Sequence, residues 1–130
     1  MAIKKIDHIG IAVKEINQTL RLYQDLLGIE VSARHDSPVQ NMAFLPVGET
    51  QIELLEPVDA ESPIGKFIER RGEGIHHICF EVDDIEATLR TLAEAGIELI
   101  DQTPRLGAHG RKVAFVHPRS CNGVLVEFYG

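Results

Sequence analysis

The segment IDHIGIAVKEINQTLR, residues 6–21, returns 69 positions later as IHHICFEVDDIEATLR, residues 75–90. Eight of the sixteen aligned positions are identical: Ile6/Ile75, His8/His77, Ile9/Ile78, Val13/Val82, Ile16/Ile85, Thr19/Thr88, Leu20/Leu89 and Arg21/Arg90. Self-similarity at that density means two copies of one supersecondary unit. Each copy opens on an alternating apolar run, Ile9-x-Ile11-x-Val13 and Ile78-x-Phe80-x-Val82. A period of two predicts a strand with one buried face.

A helix follows in both copies. In the first, Ile16, Leu20, Tyr23 and Leu27 fall at helical spacing and Gly28 supplies the stop. In the second, Asp83 with Glu86 reads as a capping box, Ile85, Leu89 and Leu92 form the apolar stripe, and Gly96 ends it. The tails correspond as well: Ala43-Phe44-Leu45 and Ile52-Glu53-Leu54 reappear as Ala114-Phe115-Val116 and Val126-Glu127-Phe128. Each reads as strand, turn, strand. Short strands near 30–34 and 98–100 complete a βαβββ order. Residues 57–71 are an inserted stretch with a short helix after Ser62-Pro63. The expected organisation is one domain over 1–130, with module one at about 1–56, a linker at about 57–73 and module two at about 74–130.

Strand parity then sorts the polar side chains, because successive residues point to opposite faces. With Ile9, Ile11 and Val13 under the helix, His8 faces the other side, and the same count sends His77, Glu53 and Glu127 to the face away from the helices. If the modules pack as pseudo-symmetric halves, His8/Glu53 and His77/Glu127 become symmetry mates around one point. Singly, an inward histidine is usually a satisfied core residue and a strand glutamate a solvated one. Recurrence of both at equivalent places favours a cation, since buried carboxylates need compensation. Two imidazoles and two carboxylates suit zinc, cobalt, nickel, manganese or iron, with water in the remaining positions.

Composition bounds the partners. With 44% hydrophobic and 25% charged residues the chain is an ordinary globular sequence. A net charge of −7 opposes binding to a phosphate backbone or an anionic membrane surface, so neither nucleic acid nor membrane is expected as a partner. No apolar run reaches the ~20 residues of a membrane span. Lys4 and Lys5 lead straight into the first strand, leaving no room for a secretory or transit segment, and the cytoplasm is the expected location. Cys79 and Cys121 lack metal or redox spacing and are expected to be free thiols. Two basic segments, Lys66/Arg70/Arg71 and Arg105/Arg111/Lys112/Arg119, either flank an anionic small molecule or belong to a solvated mixed surface.

The remaining histidines divide. His76 faces the helix side by parity and reads as structural or tautomer-setting, while His35 and His117 lie at strand ends near turns. His109 stands in Leu106-Gly107-Ala108-His109-Gly110-Arg111, where glycines permit close backbone approach to a ligand. Gly107, His109, Gly110 and Arg111 are therefore candidate substrate contacts.

Taken together these residues resemble the vicinal-oxygen-chelate superfamily, in which paired βαβββ modules form a cup around one metal. The resemblance covers the whole chain. It implies an α+β fold with a cupped, mostly antiparallel sheet and helices on its outer face. Within the superfamily the sequence is most similar to the methylmalonyl-CoA epimerases, through Ile6-Asp7-His8-Ile9, Glu53-Leu54-Leu55-Glu56-Pro57, Ser62-Pro63-Ile64, Gly74-Ile75-His76-His77-Ile78, Gly107-Ala108-His109-Gly110, His117-Pro118 and Gly123-Val124-Leu125-Val126-Glu127. The His, Glu, His, Glu order alone is shared with glyoxalase I. The Glu-Pro linker with Ser62-Pro63 and the Gly-Ala-His-Gly loop favour the epimerases.

The resemblance implies an acyl-CoA substrate, a homodimer and one divalent ion, cobalt first, with zinc, manganese, nickel or magnesium as alternatives. It implies epimerisation of methylmalonyl-CoA through abstraction and return of the α-proton, with Glu127 as a base. Some relatives carry a second glutamate on the third strand. Here that stretch is Val39-Gln40-Asn41-Met42-Ala43, so the second transfer falls to a metal-bound water, Glu53 or a residue of the Gly107 loop. The rival readings are a glyoxalase I lyase acting on a glutathione hemithioacetal, and a non-catalytic sequestering protein of the same fold. Paired inward carboxylates argue against the last.

Overall fold

The computed structural model describes residues 2–107 and 110–130. Their elements run β1 (Ile3–Ala12), α1 (Ile16–Leu20), β2 (Ala33–Asp36), β3 (Gln40–Val47), β4 (Thr50–Pro57), α2 (Pro63–Arg71), β5 (Gly74–Val82), α3 (Ile85–Glu94), β6 (Arg105–Leu106), β7 (Lys112–Val116) and β8 (Leu125–Tyr129). The fold is α+β. Contacts divide it into two compact units, His8–His76 on one hand and Met1–Asp7 with His77–Gly130 on the other.

Both units repeat one topology. In the first, β1 runs parallel to β4, from His8 opposite Gln51 to Ala12 opposite Leu55. β4 then pairs antiparallel with β3, and β3 with β2. In the second, β5 runs parallel to β8, which pairs antiparallel with β7, and β7 with β6. The first strand of each unit thus lies beside its last, and the helix between them crosses over one face.

That crossover buries the alternating apolar set. Val13, Ile16, Leu20, Ala43, Leu45 and Leu54 form the core under α1, joined by Ile11, Tyr23 and Ile52. Val82, Ile85, Leu89, Leu99, Ala114, Val116 and Phe128 form its counterpart under α3. Thr19 and Thr88, identical in the repeat, do the same work: each hydroxyl donates to the carbonyl four residues back, Glu15 and Asp84, at 2.8 Å. Gly28 and Gly96 close the two helical segments with φ of +74° and +82°, the left-handed conformation that a side chain disfavours.

Several local features differ from the sequence expectation. The first helix is α-helical only to Leu20 and continues as a π-helical stretch, Arg21–Leu26. The Leu27 N–H donates to the Leu22 carbonyl five residues back at 2.9 Å. This wider turn shifts the buried stripe, so Tyr23 and Ile29 reach the core while Leu27, expected there, is 59% exposed. The α3 helix is capped by Asp84, whose carboxylate accepts the Ala87 N–H at 2.9 Å. Asp83, expected as the cap, instead accepts from the Ala2 N–H at 2.8 Å. Glu15 at the start of α1 makes no side-chain cap; Glu56 reaches from β4 to accept the Ile16 N–H at 2.7 Å.

The strand expected near 30–34 begins at Ala33. Its counterpart near 98–100 shrinks to a single bridge, Leu99 to Val116, with β6 forming farther along at Arg105–Leu106. The Asp101 carboxylate takes the Phe115 N–H at 2.8 Å and so ends the backbone ladder. In the inserted stretch, α2 forms as expected, with Ser62 accepting the Gly65 N–H at 3.1 Å. No helix among the described residues is long and apolar enough to cross a membrane.

One correction bears on the site. In the first unit the face carrying His8 and Glu53 is not free of helix, because Ile64, Phe67 and Ile68 of α2 pack on Ala12, Leu55 and Met42. Ala12 shares the parity of His8, and Leu55 that of Glu53.

Candidate functional site

Register sets the site before any side chain is considered. In the first unit Glu53 lies opposite Gly10, and His8 precedes Gly10 by two residues. In the second, Glu127 lies opposite Cys79, and His77 precedes Cys79 by two residues. The same parallel pairing therefore puts one histidine and one glutamate diagonally across two strands, on the same face, in each half.

The side chains meet. His8 Nδ1 stands 3.2 Å from Glu53 Oε2, and His77 Nε2 stands 3.7 Å from Glu127 Oε1. Both histidines are 8% exposed. Apolar walls raise the cost of leaving these carboxylates uncompensated: Phe44 on β3 lies opposite Glu53, and Phe115 on β7 lies opposite Glu127. The repeat had aligned the two phenylalanines, but only the antiparallel register reveals that each stands beside a glutamate.

The donor set fits a divalent ion. Two atoms about 2.1 Å from one metal stand roughly 3 to 3.4 Å apart in octahedral or tetrahedral geometry. The 3.2 Å pair lies within that range, and the 3.7 Å pair is a few tenths of an ångström outside it. At 3.7 Å this pair of His77 and Glu127 atoms lies beyond hydrogen-bond distance. Each half can offer one imidazole nitrogen and one carboxylate oxygen.

The other expected contacts sit in the second unit. The Gly107 N–H donates to the Arg111 carbonyl at 2.7 Å, and a Cβ on Gly107 would fall 2.7 Å from Val113 Cγ1. Glycine there serves the close approach of the chain to itself. Gly110 has φ of +70°, and His109 lies outside the described residues. Arg111 holds Glu81 at 2.9 Å and lies over the Tyr129 ring, 4.2 Å from its centre. The hydrogen bond from Arg111 pulls the Glu81 carboxyl below its ordinary range, and the same bond raises the guanidinium.

The second basic segment is matched base for acid. Arg105 pairs with Asp101 at 2.9 Å, Arg119 with Glu98 at 3.4 Å, and Lys112 with Glu86. His76 packs edge-on against Phe67 of α2, ring centres 4.9 Å apart, and its partial burial lowers its pKa. The helix it meets is α2, not the helix of its own repeat. The His117 Nδ1 accepts the Arg119 N–H at 3.0 Å and caps a short 3-10 turn.

Residues 7–115 match the family model described as the glyoxalase/bleomycin resistance protein/dioxygenase superfamily. The mitochondrial methylmalonyl-CoA epimerase of Dictyostelium discoideum is 42% identical over 130 residues, spanning 98% of this chain and 78% of the relative. The ethylmalonyl-CoA/methylmalonyl-CoA epimerase of Cereibacter sphaeroides is 42% identical over 129 residues, 96% of each chain. Among solved structures, a variant of the Streptomyces coelicolor methylmalonyl-CoA epimerase in complex with 2-nitronate-propionyl-CoA superposes with a TM-score of 0.85 at 32% identity, covering 98% of this chain and 94% of that one. The sequence matches both relatives and the fold matches the solved structure over nearly the whole of this chain, and the chain belongs to the methylmalonyl-CoA epimerases, isomerases of the glyoxalase/bleomycin resistance protein/dioxygenase superfamily.

Proposed function

We propose that this protein inverts the configuration at C2 of methylmalonyl-CoA, using one divalent ion held by His8, Glu53, His77 and Glu127. The observation that carries the reading is the recurrence, in identical strand register, of a buried histidine beside a partly buried glutamate. The relatives named for this reaction support the substrate. A borderline donor set of two nitrogens and two oxygens accommodates cobalt, with zinc, manganese, nickel or magnesium as alternatives.

When bound, the ion would polarise the thioester carbonyl and so acidify the neighbouring C–H. Glu127 takes the α-proton from C2, and the electron pair of the broken bond delocalises toward the thioester oxygen. Return of a proton to the opposite face completes inversion. In β3, Met42 and Phe44 share the face of Glu53 and carry no proton to give, which leaves a water, Glu53 or the Gly107 loop for that step. Phe44 and Phe115 keep water from the carboxylates and strengthen every charge interaction at the site.

Cys79 and Cys121 are not joined in a disulfide, which fits a reducing compartment such as the cytoplasm. Leu22, Leu26 and Leu27, all exposed along the π-helical stretch, offer an apolar surface for a homodimer. Incubation with methylmalonyl-CoA in heavy water tests the chemistry. Deuterium entering C2 as the R and S forms interconvert is the expected result. Turnover of a glutathione hemithioacetal with no exchange at C2 would replace this reading with a glyoxalase.

A further inference from the structure

The repeat accounts for the metal ligands but leaves one element without a counterpart. The second unit has no equivalent of α2 among its described residues, and α2 lies on the face that carries His8 and Glu53. It is firmly seated. Ser62 caps it, Ile64, Phe67 and Ile68 anchor it, and Gly65 packs so tightly that a Cβ would fall 2.2 Å from the Asp59 carbonyl oxygen. Its outer flank presents Lys66 and Arg70, one turn apart and both exposed.

Lys4, Lys14, Arg21, Arg34 and Arg90 lack an ion-pair partner among the described residues but lie on separate segments, whereas this flank brings two such cations together. The net charge is −7, and Arg105, Arg111, Lys112 and Arg119 are each matched to a carboxylate. Lys66 and Arg70 have no ion-pair partner among the described residues. Helix-dipole compensation explains cations in the last turn, at Arg70 and Arg71, but not Lys66 a turn earlier. Arg21 and Arg90 ride on the segments that cover the opposite strand face in each unit.

On the reading that the substrate is an acyl-CoA, we infer that Lys66 and Arg70 of α2 dock the phosphates of its nucleotide end. The distances suit the molecule. Leu55, beneath α2, is two residues along β4 from Glu53, about 7 Å, and the helix adds roughly 10 Å of thickness. The pantetheine arm, about as long as four to five extended residues, spans roughly 15 Å. An acyl group at the glutamates would therefore bring the phosphates to the outer flank of α2. Against a repelling net charge, a polyanionic nucleotide gains most from cations that no carboxylate already holds.

Calorimetric titration of the metal-loaded protein with coenzyme A and with pantetheine tests this, using wild type and the double variant Lys66→Glu, Arg70→Glu. Wild type should bind coenzyme A at least tenfold tighter than pantetheine, and the variant should lose about tenfold for coenzyme A alone. In turnover, KM for methylmalonyl-CoA should rise about tenfold with kcat unchanged, while KM for the pantetheine thioester stays put. Equal coenzyme A affinity in the two proteins overturns the docking site, as does no binding by wild type. Loss of coenzyme A binding without any epimerisation by wild type would instead leave the docking site standing and remove the epimerase reading.

Discussion

His8 Nδ1 stands 3.2 Å from Glu53 Oε2, and strand register alone brings the two within reach: Glu53 is opposite Gly10, and His8 lies two residues before it. His77 and Glu127 repeat that relationship around Cys79, at 3.7 Å. Two residues that recur together in this way are the basis for treating them as ligands. Glu127→Gln should lower turnover by at least about 10²-fold, the range for loss of a general base, and His77→Ala should lower it at least as much by removing a metal ligand. Glu127→Gln should retain part of the metal and His77→Ala little, as read by mass spectrometry of the dialysed proteins. Full activity in either variant would contradict the assignment.

The π-helical turn separates two leucines that the sequence places on one stripe. Leu20 is 8% exposed in the core under α1, and Leu27 is 59% exposed. Leu20→Ala should cost about 2 to 5 kcal/mol of folding stability. Leu27→Ala should stay within about 0.5 kcal/mol. Urea denaturation measures both, and comparable losses would mean that the first helix stays α-helical through Leu27.

Gly65→Ala should destabilise the protein by about 2 kcal/mol, because the added Cβ meets a backbone oxygen, 2.2 Å away, that cannot rotate aside. The same change at an exposed helix position would be neutral or favourable. An unchanged urea midpoint would show that α2 is not seated against Asp59.

Glu81 gives a pH signature. Its carboxyl is held below the ordinary value of 4.5, first by the hydrogen bond from Arg111. Because the folded pKa is the lower one, the stabilisation is complete above 4.5 and is lost as pH falls through the folded value. Glu81→Gln should therefore differ from wild type most near neutrality, with the two urea midpoints converging in acid. A gap that widens on acidification would reverse the sign and discard the pairing with Arg111.

Period and repetition determined much of this protein from the sequence. Alternation at Ile9, Ile11 and Val13 and again at Ile78, Phe80 and Val82, with glycines after each helix, dictated strands, helices and the faces of His8, His77, Glu53 and Glu127. Those features follow from dihedral preferences and side-chain direction, which act over a few residues. Tertiary structure alone decided the rest. Glu56 caps α1 from another strand, Asp101 ends a ladder it was not expected to touch, and α2 folds onto the face of Glu53. Each depends on a group tens of residues away, or on packing that local period does not encode. The phenylalanines beside the two glutamates belong to both kinds, aligned by the repeat and placed by the register.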